Sequence, residues 1–412
     1  MNDMQVQNKA ESGAQLNKIK HRKKNKRNFI IIAVCIFLFI VCAILIINDI
    51  SGGRSDLRLI GFSFMEDGKF GLMDTSGTIL IPAQYDERIY IFSDNLAAIS
   101  INGRFGYIDK SGVQRISPQF DSARSFSEGL ASVSIDSGYG YINTSGDFII
   151  APDFEDARSF REGLAAVRIG GLWGFIDRNG TIIINPQFDS VSSFFEGRAS
   201  ALRDNKWGLI DNRGRAVTDF EYDEIARSIG DGLILARRDS LFGFLDRQGR
   251  ESVPFIYRSA GSFSEGYARV QVGELYGYID TRNNLRIDAE HTKVSDFSEG
   301  LAFVMFENGL YGVMDRRGRV IVTGRFSNFR SFSDGVAPVS VGGVWGVIDR
   351  RGRFIINPQY DAISDFESNL AIVRIGDRVG VIDRQGNIIV DIIYDNRSSL
   401  IHYGLSMVFE RR

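Results

Sequence analysis

The chain has 412 residues, 44% of them hydrophobic and 24% charged, which is the composition of a globular protein. Its formal net charge of −2 is unevenly distributed, because residues 1–28 carry a net +6 and the remainder a net −8. So acidic a remainder argues against nucleic acid as the main ligand, since neutralising phosphates needs a basic face.

Residues 1–28 are polar, basic and aperiodic, so we expect a disordered tail. Residues 29–47 follow as an apolar run without interruption. As a helix this run spans roughly 28 Å, close to the hydrocarbon thickness of a bilayer. A cleaved signal peptide is the alternative, but its apolar region is usually about 7–15 residues long. We therefore predict an uncleaved transmembrane helix at 29–47.

The Lys/Arg cluster at residues 18–27 lies directly before this helix and predicts the topology. Basic residues beside a membrane span stay cytoplasmic, so the tail is expected inside and everything after residue 47 outside. Both cysteines, Cys35 and Cys42, fall within the span, and we interpret them as apolar filler. Residues 48–57 are expected to form a flexible linker.

From residue 58 to residue 412 the chain is a tandem repeat. The repeating unit is shown by Phe160–Asp189, with the pivot Trp173-Gly174-Phe175-Ile176-Asp177 and Gly180. The pivot glycine recurs at a spacing of 34 or 35, at Gly71, Gly106, Gly140, Gly174, Gly208, Gly243, Gly277, Gly312, Gly346 and Gly380. Ten units at so steady a period predict a repeat architecture.

Each unit predicts three short strands, in the fourth unit Leu164–Ile169, Trp173–Asp177 and Thr181–Ile184. Between the second and third strands lies an Asp-x-x-Gly turn. We expect its aspartate to accept from backbone amides two and three residues on, and its glycine to supply the positive φ of a bulged type I turn. Asn143 and Asn283 replace the aspartate and the glycine in single units and are expected to keep the turn.

Three aromatic rows recur at fixed phase and predict a continuous stacked core. The pivot row is expected to be buried, each ring lying over a glycine of a neighbouring strand; stacking of sugars is the alternative. The pivot row is Phe70, Phe105, Tyr139, Trp173, Trp207, Phe242, Tyr276, Tyr311 and Trp345; the second row includes Tyr85, Phe120, Phe154, Phe188, Phe220, Tyr257, Phe326, Tyr360 and Tyr394; the third includes Phe92, Phe126, Phe160, Phe194, Phe263, Phe297, Phe332 and Phe366.

These motifs resemble the WG (KWG) repeat family, whose signature is Trp-Gly-aromatic-Ile-Asp-x-x-Gly, then Pro-x-aromatic-Asp and Phe-Ser-Glu-Gly-Leu-Ala. Lys206-Trp207-Gly208, Gly163-Leu164-Ala165 and Pro186-Gln187-Phe188-Asp189 carry the resemblance, which covers roughly residues 58–412. Only three units keep the tryptophan, and four lose the proline, so the geometry of the units need not be uniform. The resemblance implies bacterial origin, envelope or surface placement and an interaction role, and it implies no known reaction.

The expected fold class is all-β: three-stranded repeats stacked as an open or superhelical array, preceded by one transmembrane helix. The alternative is a closed β-propeller, for which the repeat is short, because a propeller blade normally has four strands. The repeats begin with a strand at Leu59–Phe64 and end with one at Leu405–Phe409. This last strand would cap an open stack or complete a blade shared between the two ends.

The sequence offers little chemistry. His21, His291 and His402 are far apart, which favours neither a zinc site nor a histidine-based triad. The repeated aspartates are interpreted as turn residues, and each turn has too few carboxylates to favour calcium. We therefore predict no catalytic residues, no metal and no cofactor, and the sequence leaves the binding residues unknown.

Units five to eight depart most from the repeat and could hold a specialised binding site, although drift of exposed loops explains the same pattern. Their departures are Thr218–Asp223, Ile229–Gly232, Ala289–Thr292, Arg237-Arg238 and Arg316-Arg317. The function we predict is a single-pass membrane protein whose extracytoplasmic repeats bind a protein or a cell-wall glycan without catalysis. The alternatives are an envelope glycan hydrolase using a carboxylate pair from units five to eight, and a ligand sensor.

Overall fold

The computed structural model describes residues 57–395 and 405–411, apart from the side chains of residues 227, 228 and 395. The predicted tail, the predicted span at 29–47 and nearly all of the linker lie outside the described residues. Within the described residues every regular element is a strand, and none is a helix that could cross a bilayer. Residues 56–412 form one compact unit.

The strands of this unit, in chain order, have the following bounds. They are β1 (Leu57–Glu66), β2 (Lys69–Asp74), β3 (Ile79–Tyr85), β4 (Ile91–Phe92), β5 (Ala97–Ile101), β6 (Arg104–Ile108), β7 (Gln114–Phe120), β8 (Ser122–Ala123), β9 (Leu130–Ile135), β10 (Gly138–Asn143), β11 (Phe148–Phe154), β12 (Asp156–Ala157), β13 (Ala165–Ile169), β14 (Leu172–Ile176), β15 (Ile182–Phe188), β16 (Ser190–Val191), β17 (Ala199–Arg203), β18 (Lys206–Ile210) and β19 (Glu224–Gly230). They continue with β20 (Leu233–Arg238), β21 (Leu241–Asp246), β22 (Glu251–Tyr257), β23 (Ala268–Val272), β24 (Leu275–Ile279), β25 (Leu285–His291), β26 (Leu301–Met305), β27 (Tyr311–Asp315), β28 (Val320–Phe326), β29 (Asn328–Phe329), β30 (Val336–Val341), β31 (Val344–Asp349), β32 (Phe354–Tyr360), β33 (Ala362–Ile363), β34 (Leu370–Ile375), β35 (Arg378–Asp383), β36 (Ile388–Asp395) and β37 (Leu405–Arg411).

These strands form ten sheets, one for each repeat unit, which we call blades one to ten. All their strand pairs are antiparallel except β37 with β4, which pair parallel at the edge of the first sheet. A complete blade has strands A to D, as in blade four, where the order is β12-β13-β14-β15. Strand A has only two residues in most of the blades that have it, as in Asp156–Ala157. Because strand A is so short, a repeat of 34 or 35 residues can accommodate four strands. Blade five departs from this plan, because only the isolated bridges Trp207↔Tyr222 and Ile210↔Ala216 stand where strand D would be.

The blades close into a propeller-like ring, so the expected open or superhelical array is wrong and the alternative of a closed propeller is confirmed. Strand β37 pairs with β1, from Leu57↔Arg411 to Phe64↔Leu405, and takes the strand A position of blade one. Residues from both ends of the repeat region also share one core, in which Phe62 and Phe64 pack with Ile372, Val379 and Leu405. The length argument failed because it assumed four strands of full length.

The pivot glycine has a different role from the one expected. In blade four the register between strands C and D moves from Trp173↔Phe188 to Phe175↔Ile184, so strand D has a two-residue bulge opposite Gly174. A Cβ on Gly174 would lie 2.4 Å from the carbonyl oxygen of Ile184. Gly174 therefore makes room for the bulged backbone of strand D. At four other pivot glycines a ring from outside the pivot row also lies within 3.2 Å of the place a Cβ would take; these are Gly71, Gly208, Gly243 and Gly312.

The third aromatic row is buried between consecutive blades, as predicted. Phe126 of blade three packs against Tyr107 of blade two with ring centroids 4.8 Å apart, and Phe160 packs against Tyr141 in the same way. The hydroxyl of buried Tyr107 donates to the carbonyl oxygen of Arg124 at 2.7 Å, so its one polar atom is satisfied.

The pivot aromatics were expected to be core, and apart from buried Trp173 they are half-buried. Several lie beneath an arginine: the guanidinium of Arg158 is 4.4 Å from the ring centroid of Trp173. Arg330 covers Trp345 in the same way, at 5.8 Å. These rings lie at the edge of the core under cationic side chains.

All ten hydrophobic clusters are built from residues of the ring. A unit that contains its own core and pairs its first strand with its last can fold without the preceding residues.

Candidate functional site

The ring has two faces, which we name by the loops they carry. Strand B runs from the A–B loop to the B–C turn, and strand C returns to the C–D turn. The A–B loops and the Asp-x-x-Gly turns therefore share one face, the turn face. The B–C turns and the connections from strand D to the next blade form the hairpin face.

The repeated aspartates of the turn face hold backbone, as predicted. Asp109 accepts from the amides of Ser111 at 2.9 Å and Val113 at 3.1 Å. The amide of Gly112 donates to the main-chain carbonyl of Asp109 instead, so the side chain bonds to residues two and four on, and the expected bond three residues on is wrong.

Both substitutions in the turns behave as expected. Asn143 accepts from the amides of Ser145 and Asp147 at 2.9 Å. Asn283 adopts φ 64° in place of the glycine. The turn tolerates these changes because it needs only an acceptor side chain and a left-handed residue.

A second row of acidic residues, in the A–B loops, joins each blade to the next. The carboxylate of Glu162 accepts from the amide of Gly197 at 2.8 Å, and that of Glu128 accepts from Gly163 at 3.0 Å. Equivalent groups of neighbouring blades can touch in a closed ring only near its axis, so this row lines the inner circumference. In both rows the carboxylates accept hydrogen bonds from backbone amides. Neither row contains a residue that differs from its repeats in a way that would indicate catalysis.

Blades five and six are where the sequence and the geometry both break the repeat. There Arg238, at the end of strand B, forms ion pairs with Glu221 at 2.9 Å and with Glu251, at the start of strand D, at 2.8 Å. The guanidinium also lies 4.3 Å from the ring centroid of Phe255. The three charged side chains are between 31% and 45% exposed, so the group is open to solvent. We call Glu221, Arg238, Glu251 and Phe255 the blade-six cluster.

Tyr222 lies beside this cluster, and its position shows that the second aromatic row was assigned wrongly in blade five. It bridges to Trp207 as Phe188 pairs with Trp173, and it is buried, so Tyr222 rather than Phe220 is the repeat residue of blade five. Phe220 instead stacks on Phe188 with centroids 6.0 Å apart. Burial is the main reason that the pKa of Tyr222 rises to about 12, so its hydroxyl remains protonated.

Further charged groups surround Tyr222. Asp223 pairs with Lys206 at 2.7 Å and accepts from the amide of Ser240 at 3.0 Å. The hydrogen bond from Lys206 is the main reason that the pKa of Asp223 is lowered. Of the predicted segment Thr218–Asp223, the structure thus brings Glu221 and Asp223 to the surface of blades five and six, above buried Tyr222.

The other divergent segments have structural roles. His291 pairs with Tyr276 at the second-row position of blade seven, its Nδ1 lies 3.1 Å from the carbonyl oxygen of Met305, and its ring packs edge-on against Phe306. Asp231 of the segment Ile229–Gly232 accepts from the amide of Gly266 at 2.7 Å, as an A–B loop residue. Arg316 reaches Glu265 at 2.5 Å. These segments do not gather around one site.

Within residues 57–395 and 405–411, no group of three or more histidine, cysteine, aspartate or glutamate side chains is placed to hold a metal ion.

Sequence reasoning identified Arg238 only as local positive charge and missed its link to Glu251. The sequence did contain an indication of this site. Glu221 occupies the position of Gln187 one repeat later, and Arg238 occupies that of Asp204, so the residue type changes at both positions.

The sequence profile described as WG containing repeat matches ten segments of the chain. The matched residues are 70–105, 105–138, 139–173, 173–207, 207–241, 242–276, 276–311, 311–345, 345–378 and 380–408. A search of curated protein sequences found no relative of this chain.

Several solved structures are similar to this chain at low identity. A crystal structure of a eukaryotic initiation factor is 11% identical, covers 80% of this chain and 95% of its own, and has a TM-score of 0.49. The computationally designed Ika8 protein is 12% identical, with 64% and 93% covered and a TM-score of 0.34. PorZ of Porphyromonas gingivalis, a surface component of the type-IX secretion system, is 12% identical, with 75% and 52% covered and a TM-score of 0.28. Similarities this distant carry no argument about function.

Proposed function

Because the chain belongs to the WG-repeat family, and because its repeats close into a ten-bladed ring, we propose that it is a non-enzymatic binding scaffold. Its ligand would be a protein or a cell-wall glycan. In the same proposal residues 29–47 anchor the chain in the membrane with the ring on the extracytoplasmic side, because an uncharged run of that length follows a Lys/Arg cluster.

The blade-six cluster is the observation that supports a binding role most directly. The repeated carboxylates of the turn face are engaged with backbone amides, so they are not available as contacts for a ligand. Glu221, Arg238 and Glu251 instead stand outside the repeat, remain partly exposed, and lie beside an aromatic ring. Arginine beside an aromatic side chain is a combination enriched where proteins bind one another.

The experiment is a pull-down from detergent-solubilised envelope extracts and from glycan fractions, using the full-length chain as bait. The test variant is Arg238→Ala, and the matched control is Arg104→Ala. Arg104 also pairs with a carboxylate on the hairpin face, that of Asp121, but in an ordinary blade. We expect the wild type and the control to retain the same ligand, and Arg238→Ala to retain at least tenfold less. Equal retention by all three, or a ligand retained by none, would contradict the proposal.

The hydrolase alternative gains no support from this cluster. A glycosidase pair needs two carboxyl groups facing the scissile bond from opposite sides. Glu221 and Glu251 are instead bridged by one guanidinium. Release of soluble fragments from envelope glycan that disappears in the double variant Glu221→Gln/Glu251→Gln would replace the scaffold with an enzyme.

The proposed topology is tested separately by cysteine labelling. The repeat region has no cysteine, and the side chain of Glu274 is 86% exposed on the hairpin face. We expect Glu274→Cys to react with a membrane-impermeant maleimide in intact cells, and Asn8→Cys in the tail to react only after lysis. The reverse pattern would reject the topology.

A further inference from the structure

We propose that the turn face of blades five to nine docks on an anionic phospholipid surface. This goes beyond a binding role for the blade-six cluster, because it concerns other residues of the ring and a different class of ligand. Its test does not depend on what the hairpin face binds.

The first observation is a set of arginines that the fold does not use. An arginine one residue after the turn aspartate reaches the inner A–B loops, as Arg350 does in donating to the carbonyl oxygen of Glu299 at 2.6 Å. An arginine four residues after it pairs with the aspartate itself, as Arg353 does with Asp349 at 2.7 Å.

The arginines two residues after the aspartate have no such role. Arg213, Arg282, Arg317 and Arg351 contribute only their backbone amides to the turns. Among the described residues these four side chains are exposed and have neither an ion pair nor a side-chain hydrogen bond.

The second observation is that these arginines occupy one arc of the ring. In blades five to nine, the five turns from the aspartate to four residues on carry eleven arginines against five acidic residues. In blades one to four the same positions carry two basic and four acidic residues, and the positions of the unused arginines hold Ser76, Ser111, Ser145 and Asn179.

The acidic A–B loops share this face nearer to the axis. Their carboxylates in this arc are engaged, as Glu299 is with the amide of Gly335 at 3.0 Å and Glu196 is with Arg247 at 2.7 Å. The turn tips therefore form a basic arc outside an inner row of neutralised charges.

The third observation distinguishes a bilayer from a soluble polyanion. Directly after the turns, at the start of strand D, aliphatic side chains project into solvent: Leu285 is 44% exposed, Val320 45%, Ile321 38% and Ile355 42%. A soluble phosphate polymer would use the arginines alone. A membrane surface takes both, since basic side chains meet the lipid phosphates and the apolar ones enter the headgroup boundary.

The start of the domain fits this orientation. Strand β1 begins at Leu57, on the turn face. Residues 48–56 separate it from the apolar run at 29–47, and fully extended they span at most roughly 30 Å. The chain therefore enters the ring at the turn face.

The test is vesicle co-sedimentation of the chain comprising residues 56–412, which contains its whole core and lacks the apolar run. The vesicles contain phosphatidylglycerol and phosphatidylcholine in equal parts, or phosphatidylcholine alone, and soluble polyphosphate is titrated in parallel. We expect binding to the anionic vesicles, none to vesicles of phosphatidylcholine alone, and weaker binding to polyphosphate. The quadruple variant Arg213→Gln/Arg282→Gln/Arg317→Gln/Arg351→Gln should bind the anionic vesicles more weakly by on the order of 1000-fold.

The matched control removes the same charge from the hairpin face, as Lys69→Gln/Arg104→Gln/Arg258→Gln/Lys293→Gln, and should change binding less than threefold. The triple variant Val320→Ser/Ile321→Ser/Ile355→Ser should weaken vesicle binding and leave polyphosphate binding unchanged.

Three results would overturn the proposal. One is a wild-type chain that does not sediment with anionic vesicles, and another is an equal loss in the hairpin-face control. The third is polyphosphate binding as tight as vesicle binding, with vesicle binding insensitive to the aliphatic triple variant, which would identify a site for soluble polyanions instead.

Discussion

Gly77 of blade one packs against Val390 of blade ten, and a Cβ at position 77 would lie 3.1 Å from Val390 Cγ2. Inside the chain the same contact joins the turn glycine of most blades to strand D of the blade before it, as Gly180 lies against Ile150. The junction between the first and last blades is therefore built like the junctions between consecutive blades.

Truncating Leu405 should weaken the ring as a whole. Leu405 is fully buried in the core that joins blade ten to blade one, so Leu405→Ala leaves a cavity and should reduce the free energy of unfolding by about 2–5 kcal/mol. Denaturant unfolding of residues 56–412 measures this, with Met407→Ala on the same strand, where the side chain is only half-buried, as the control. Equal midpoints for the two variants would show that closure contributes little.

Alanine substitutions at two glycines of neighbouring loops distinguish the cost of backbone strain from the cost of a close side-chain contact. Gly214 and Gly197 both have positive φ, at 76° and 75°. A Cβ on Gly214 would lie 2.8 Å from Ile184 Cγ2, whereas one on Gly197 meets nothing within 4 Å. We expect Gly197→Ala to cost about 1–2 kcal/mol from the left-handed backbone alone. Gly214→Ala should destabilise the fold clearly more. Thermal unfolding of the two variants side by side measures this difference in stability, and equal melting temperatures would contradict the expectation.

In the turn of blade seven, where asparagine replaces glycine, we expect that introducing a glycine costs little. Asn283 adopts φ 64°, and its Oδ1 accepts from the hydroxyl of Tyr257 at 2.6 Å. Asn283→Gly relaxes the backbone and loses this bond, so it should be nearly neutral. Asn283→Ala loses both advantages and should destabilise by about 1–2 kcal/mol. If the alanine variant proves as stable as the glycine variant, the left-handed turn is not what selects asparagine here.

The turn aspartates predict how stability depends on pH. The hydroxyl of Ser111 contributes most to lowering the pKa of Asp109 from 3.8 to about 2, with the side chain of Arg115 and backbone amides adding to it. A carboxyl group whose pKa is lower in the folded state stabilises the fold above its unfolded pKa, and this stabilisation is lost as pH falls through the folded value. The melting temperature should therefore fall between about pH 4 and about pH 2.

The variant Asp109→Asn isolates this contribution, because Asn143 shows that an asparagine keeps the turn. Its melting temperature should depend less on pH in that window than that of the wild type. A wild-type melting temperature that stays constant down to pH 2 would contradict this account of the turns.

The sequence was sufficient to predict the repeats, the three longer strands of most units and the Asp-x-x-Gly turn, because each of these is a local pattern. It did not reveal strand A, since strands as short as Ser190–Val191 have no periodicity of their own. Strand D was also predicted too short: in blade four it continues through Pro186 to Phe188, because proline is tolerated where the sheet has an unpaired edge.

Closure and the candidate sites depend on contacts between distant residues. No local pattern indicates that Leu405 pairs opposite Phe64, or that Arg238 bridges Glu221 and Glu251. The role of Gly174 was missed for the same reason, since the bulge that presses on it follows from the register of two strands.

The pairing of β37 with β1 also determines when the ring can exist. A ribosome or a translocation channel delivers residues 405–411 after every other strand of the ring, so blade one is without its fourth strand until then. Up to that moment the growing chain presents two open apolar ends, on Phe62 and Phe64 at one end and on whichever blade has just emerged at the other. The lifetime of that intermediate, more than the strength of any one blade, sets the period during which a chaperone or a neighbouring copy can intervene.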